Sequence, residues 1–136
     1  MNTFQLKIIA SNRIFFDGEA TSLVVPHTDG GQMCFLAHHE NCVLPIDAGE
    51  MKIIDKDDET VHAFVGNGFL ECFDNSILLV CVSAEHPDEI DARRAQEAKE
   101  RAEEEMRQKL SILEHHHSQA NLARAMERLK VKSRYL

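Results

Sequence analysis

Residues 85–95 read Glu85-His86-Pro87-Asp88-Glu89-Ile90-Asp91-Ala92-Arg93-Arg94-Ala95, and the chain changes its periodicity at this stretch. Upstream, Phe4, Leu6 and Ile8 interleave with Gln5 and Lys7, the period-two pattern of a half-buried strand. Downstream, Ala95, Ala98, Ala102, Met106, Leu110 and Leu113 recur at helical spacing. Pro87 disfavours helix in the residue before it, and Asp88 suits an N-cap or an early-turn acid. The switch predicts an α+β chain: a small antiparallel β-sandwich or barrel over residues 1–86, followed by a two-helix antiparallel hairpin over residues 87–136.

The upstream part consists of short apolar runs, among them FQLKII, RIFF, SLVV, MCFL, MKII and ILLVCV. Turn residues separate them: Asp17-Gly18, residues 28–31, residues 47–49, residues 55–59, Gly66-Asn67-Gly68 and Asp74-Asn75. That many turns over so few residues predicts neighbouring strands paired as hairpins. In the downstream part, a polar break at residues 114–119 separates the first apolar stripe from a second one, Leu122, Ala125, Met126 and Leu129. The spacing predicts an αα-hairpin whose loop carries His115, His116 and His117. Alanine buries little area per residue, so its closed packing is expected to be modest in stability.

A chain of 136 residues with 43% hydrophobic and 28% charged side chains is globular rather than disordered. No run reaches the roughly 18 to 20 apolar residues of a membrane-spanning helix, and the first ten residues lack the pattern of a signal peptide. The expectation is a soluble, intracellular protein. The formal charge of -8 is uneven: residues 1–87 carry four Lys/Arg against thirteen Asp/Glu, and residues 88–136 carry eleven against ten. Only the last fifteen residues are basic, so a nucleic-acid partner is not expected. Cys34, Cys42, Cys72 and Cys81 read as reduced, small apolar residues. Cys34, His38, His39 and Cys42 do not read as a metal site, because consecutive strand residues point to opposite faces and no C-x-x-C pair accompanies them. No Walker-type glycine loop is present, and no nucleophile stands in an activating constellation.

The order of parts resembles the epsilon-subunit family of F-type ATP synthases. The segments that carry the likeness are FQLKIIASNRIFFDGEATSLVVP (4–26), VGNGFLECFDNSILLVCVSAE (65–85), IDARRAQEAKERAEE (90–104) and LARAMERLKV (122–131). Residues 30–41, GGQMCFLAHHEN, depart from the family's Leu-Pro-Gly-His-Ala-Pro pattern and keep only Leu36 and His39. The resemblance implies a non-catalytic rotor subunit that requires no cofactor. Its sandwich would meet the gamma subunit and the c-ring, with His39 in the rotor contact, and the protein would sit peripherally on the cytoplasmic face of the bacterial membrane. In isolation it is expected to be a monomer.

Asp91 and Arg94 are i,i+3 neighbours on a helix, Arg101 follows two turns after Arg94, and Arg124 and Arg128 stand at i,i+4. Converging guanidiniums need an anion, and a triphosphate suits their forked geometry. Such charges also form ordinary solvated faces with weak pairs, and spacing alone leaves both readings open. The resemblance implies a regulatory ATP site through Ile90, Asp91, Arg94, Ala95, Arg124 and Arg128, which match the family's Ile/Leu-Asp-x-x-Arg-Ala and Arg-x-x-x-Arg patterns, together with Glu85 and Arg101. It also implies that the opened second helix enters the alpha/beta catalytic head and inhibits hydrolysis through Arg124, Arg128, Lys130 and Lys132. A purely structural stalk subunit without nucleotide sensing is the alternative.

Overall fold

Period-two alternation in the first apolar run produces β1 (Phe4–Ala10), which buries Phe4, Leu6, Ile8 and Ala10. The computed structural model describes residues 2–107 and 112–135, and for residues 112–116 the backbone alone. Next comes β2 (Arg13–Pro26), a single strand of 14 residues. Asp17 and Gly18, expected to turn the chain, lie inside it opposite Lys7 and Leu6. The expectation fails because Gly18 does not take the positive φ that such a turn demands.

The length of β2 lets it serve two layers. Its first half pairs with β1, and its second half lies between β3 (Gln32–Leu36) and β5 (Gly49–Asp55). A register shift between Ala20 and Ser22 marks the change of partner, as a bulge bends a strand and sharpens its twist. The remaining strands are β4 (Cys42–Ile46), β6 (Thr60–Val65), β7 (Gly68–Phe73), β8 (Ser76–Cys81) and β9 (Ala84–Glu85). They follow the order β4-β7-β8-β1-β2-β5-β6-β9, with β3 also on β2.

Hairpin pairing accounts for only part of this ladder. β1 pairs with β8 in parallel, and β4 pairs with β7 rather than with a chain neighbour. The Gly66-Asn67 link explains why: β6 pairs with β5 and β9, whereas β7 pairs with β4 and β8, so the chain changes layer there instead of reversing within one. The Asp74-Asn75 link between β7 and β8 is a true hairpin turn, with φ of 48° and 60° that suit the twist of its strands. Phe4, Leu23, Phe35, Met51, Ile53 and Leu79 form the centre of the enclosed core.

Contacts divide the chain into Met1–His86 and Pro87–Leu136. The second unit opens with a 3-10 turn, Pro87–Glu89, and continues as α1 (Ala92–Arg107) and α2 (Ile112–Tyr135). Asp88, expected as an N-cap or an early-turn acid, lies in the first turn of the 3-10 helix, and Asp91 takes the capping role at α1. The Asp91 carboxylate accepts the Arg94 backbone N–H at 3.1 Å, while its carbonyl accepts that of Ala95 at 3.0 Å.

Ala95 and Ala102 of α1 and Ser118, Ala125 and Val131 of α2 are buried. The helices run antiparallel: Ser118 Oγ donates to Glu105 at 2.8 Å near one end, and Lys132 Nζ donates to the Pro87 carbonyl at 3.4 Å near the other. The polar loop expected at residues 114–119 is instead part of α2. No Gly or Pro interrupts that stretch, and Ser118 faces inward with a partner on α1, so polarity alone did not stop the helix. The link at residues 108–111, including the expected seam residue Leu110, lies outside the described residues, as do the side chains of Leu113, His115 and His116.

Candidate regulatory seam and docking face

In the helical unit, the Ile90-Asp91 pair joins the 3-10 turn to α1. Ile90 is buried, 2% exposed, and its N–H bonds back to the Pro87 carbonyl at 3.3 Å. One residue on, Asp91 presents a carboxylate at the positive end of α1, where an acid is favoured by the helix dipole. Its cap leaves the carboxylate exposed to solvent. Ala95 is buried one turn later and keeps the seam narrow.

The arginines border this seam. Arg94 and Arg101 each precede a buried alanine, Ala95 and Ala102, and both are exposed. Among the described residues neither forms an ion pair. Their neighbours differ: Arg93 binds Glu97 at 3.2 Å, and Arg107 binds Glu104 at 2.8 Å. On α2, Arg124 and Arg128 are half-buried on either side of Ala125, and Arg124 donates to Asn121 Oδ1. Seven of the eight residues expected at the ATP site thus lie in one unit, five on its two helices and Ile90 and Asp91 just ahead of α1. Glu85 belongs to the sandwich, where β9 holds it opposite Phe64.

Of the residues expected to contact a catalytic head, Lys130 is exposed on α2, while Lys132 is occupied at the Pro87 carbonyl. Sequence reasoning missed that bond, as well as Asn121 and the Ser118–Glu105 pair. The Asp-x-x-Arg spacing did carry a signal of the cap, since a carboxylate three residues ahead of a backbone N–H is the capping distance.

The sandwich presents a different surface. Pro45, Phe69, Val80, Ile9 and Ile14 are successive register partners across β4, β7, β8, β1 and β2. They form an apolar row on the outer face, with Phe69 65% and Ile14 56% exposed. The neighbouring row, Glu71, Leu78, Lys7 and Asp17, is mostly charged.

His39 lies beyond β3 rather than in an extended strand, because His38 takes a φ of 64° and turns the chain. The His38 N–H is held by Asn75 Oδ1 at 2.7 Å, and the Asp74 N–H by Asn41 Oδ1 at 2.9 Å. The His39 ring packs on Phe35 with centroids 4.6 Å apart, and its Nδ1 donates to the Glu40 carbonyl at 2.8 Å.

Residues 3–87 match the beta-sandwich domain of the ATP synthase delta/epsilon chain, and residues 88–133 match its long alpha-helix domain. The ATP synthase epsilon chain of Caldanaerobacter subterraneus subsp. tengcongensis is 39% identical over 133 residues, covering 98% of this chain and 96% of the relative. That of Ruminiclostridium cellulolyticum is 38% identical over 134 residues and covers 98% of each. Among solved structures, a chain of the Euglena gracilis mitochondrial ATP synthase OSCP/F1/c-ring assembly has a TM-score of 0.80 at 17% identity, covering 93% of this chain and 79% of that one. A chain of the Tetrahymena thermophila mitochondrial ATP synthase central stalk/c-ring has a TM-score of 0.71 at 10% identity, covering 94% and 95%. At such identities these two likenesses bear on fold alone.

Proposed function

The chain belongs to the ATP synthase delta/epsilon chain family, and on that premise we propose that it is the epsilon subunit of a bacterial central stalk, with a helical hairpin that inhibits hydrolysis when open and is held closed by ATP. It performs no chemistry of its own. Its sandwich bridges the gamma subunit and the c-ring, and it sits peripherally at the cytoplasmic face. Among the described residues no helix is long and apolar enough to cross a membrane.

The row Pro45, Phe69, Val80, Ile9 and Ile14 is the observation that carries the stalk reading. Half-exposed side chains of this kind each contribute roughly 1 kcal/mol when a partner covers them, before the costs of association. A gamma subunit is the partner the family supplies. Sedimentation of the chain with a purified gamma subunit tests this: a stable complex is expected for the parent and none for Phe69→Lys combined with Val80→Lys. Equal binding by both would remove the row from the interface.

For the helical unit, the support is chemical. Four arginines border an alanine seam that includes a carboxylate at a helix start, and alanine supplies little of the closed form's energy. A triphosphate that binds the closed form better shifts the equilibrium toward it by that difference in affinity. The structural-brace reading has specific support as well: Asp91 already caps α1, Arg124 already binds Asn121, and Lys132 already binds Pro87.

A further inference from the structure

Cys42 and Cys72 stand directly opposite each other across the β4–β7 ladder. Opposed residues of an antiparallel pair have Cα atoms about 4.5 or 5.5 Å apart, and both spacings fall within the roughly 4.4–6.8 Å that a disulfide spans. Both side chains face the core side: Cys72 is buried, and Cys42 packs half-buried against the same cluster. Burial raises the Cys72 thiol above its ordinary value, and Cys42 raises it further as a like charge and as a hydrogen-bond partner. Cys72 Sγ also donates to the His39 carbonyl at 3.8 Å. The other two cysteines have no such partner, since Cys34 is opposite Val24 and Cys81 is opposite Gly68.

We propose that Cys42 and Cys72 are a reversible redox pair, a cross-strand modification site that a small-molecule disulfide oxidises and a dithiol reduces. Cys42 lies on the outermost strand of its layer and is the more exposed of the two, so it reacts first. Its thiolate attacks one sulfur of the oxidant and releases one small thiolate. The Cys72 thiolate then attacks the Cys42 sulfur of the mixed disulfide and releases the second. The protein loses two protons and two electrons, and the oxidant takes them up as two thiols. Oxidation fastens β4 covalently to β7 and removes the donor that Cys72 offers to His39.

The test incubates the full-length chain with oxidised glutathione, blocks remaining thiols by alkylation and maps the peptides. The expected result is a Cys42–Cys72 linked peptide, formation of which survives Cys34→Ser but not Cys42→Ser, with a higher urea midpoint that dithiothreitol reverses. A parent chain whose thiols all remain alkylatable overturns the proposal, whether or not any variant folds. A product that stops at a glutathione adduct on Cys42, or that links Cys34 instead, overturns it equally.

Discussion

Asp91 illustrates how one side chain serves structure and a ligand hypothesis together. Its carboxylate accepts the Arg94 N–H, so Asp91→Ala is expected to cost about 1 kcal/mol in urea unfolding followed by helical circular dichroism. Asp91→Asn keeps a capping oxygen and should retain most of that stability. Loss of ATP binding in Asp91→Asn with unchanged unfolding would separate the two roles. Cys81 makes a second prediction at this scale. Burial pushes its thiol up to about 11 from 9.0. A group whose folded-state pKa is raised contributes stability that is complete below the unfolded value and is lost as pH climbs through the folded one. Urea midpoints of the parent should therefore fall more steeply between pH 9.0 and about 11 than those of Cys81→Ala. Parallel curves would contradict this. The arginines and the Ile90-Asp91 pair were legible in the sequence because charge and spacing are local properties. The bonds of Lys132 to Pro87 and of Ser118 to Glu105 were not, since both need the hairpin to be closed before the partners meet.

Among the elements, β7 depends on a close backbone approach. A Cβ at Gly68 would stand 2.1 Å from the Val80 carbonyl oxygen and 2.7 Å from the Cys81 Cα. These are backbone atoms of the paired strand and have no rotamer to escape into. Gly68→Ala should destabilise the sandwich by roughly 1–3 kcal/mol, readable as a lower urea midpoint. An unchanged midpoint would mean that β7 and β8 separate locally without cost. Alternation made β1 and the core side of most strands legible. The merger of two runs into β2 escaped, because Asp17-Gly18 has turn composition but lies in an unbroken ladder. The parallel β1–β8 pairing escaped for a different reason: sequence proximity favours hairpins, whereas closing a two-layer core rewards contacts between distant segments. On α2, three histidines suggested a loop, yet helix termination needs a breaker or an unpartnered backbone, and polar side chains supply neither.

For the whole molecule, the change of period at residues 85–95 separated a sandwich from a helical hairpin, and the two matched domains meet at residues 87 and 88. The architecture was readable because each part has its own hydrophobic period. The exposed apolar row was not, because Pro45, Phe69, Val80, Ile9 and Ile14 come from five strands and become neighbours only through the register. The regulatory reading of the hairpin makes the sharpest claim about the molecule as a whole: that nucleotide binds along the seam of the closed helices and is held there by arginines of both. Calorimetric titration of ATP into the full-length chain, beside an Arg124→Ala, Arg128→Ala double variant, tests it most directly. Saturable one-to-one binding by the parent that disappears in the variant is the predicted result. No binding by the parent at millimolar ATP, or equal binding by both, would contradict it and leave the arginines as a structural brace.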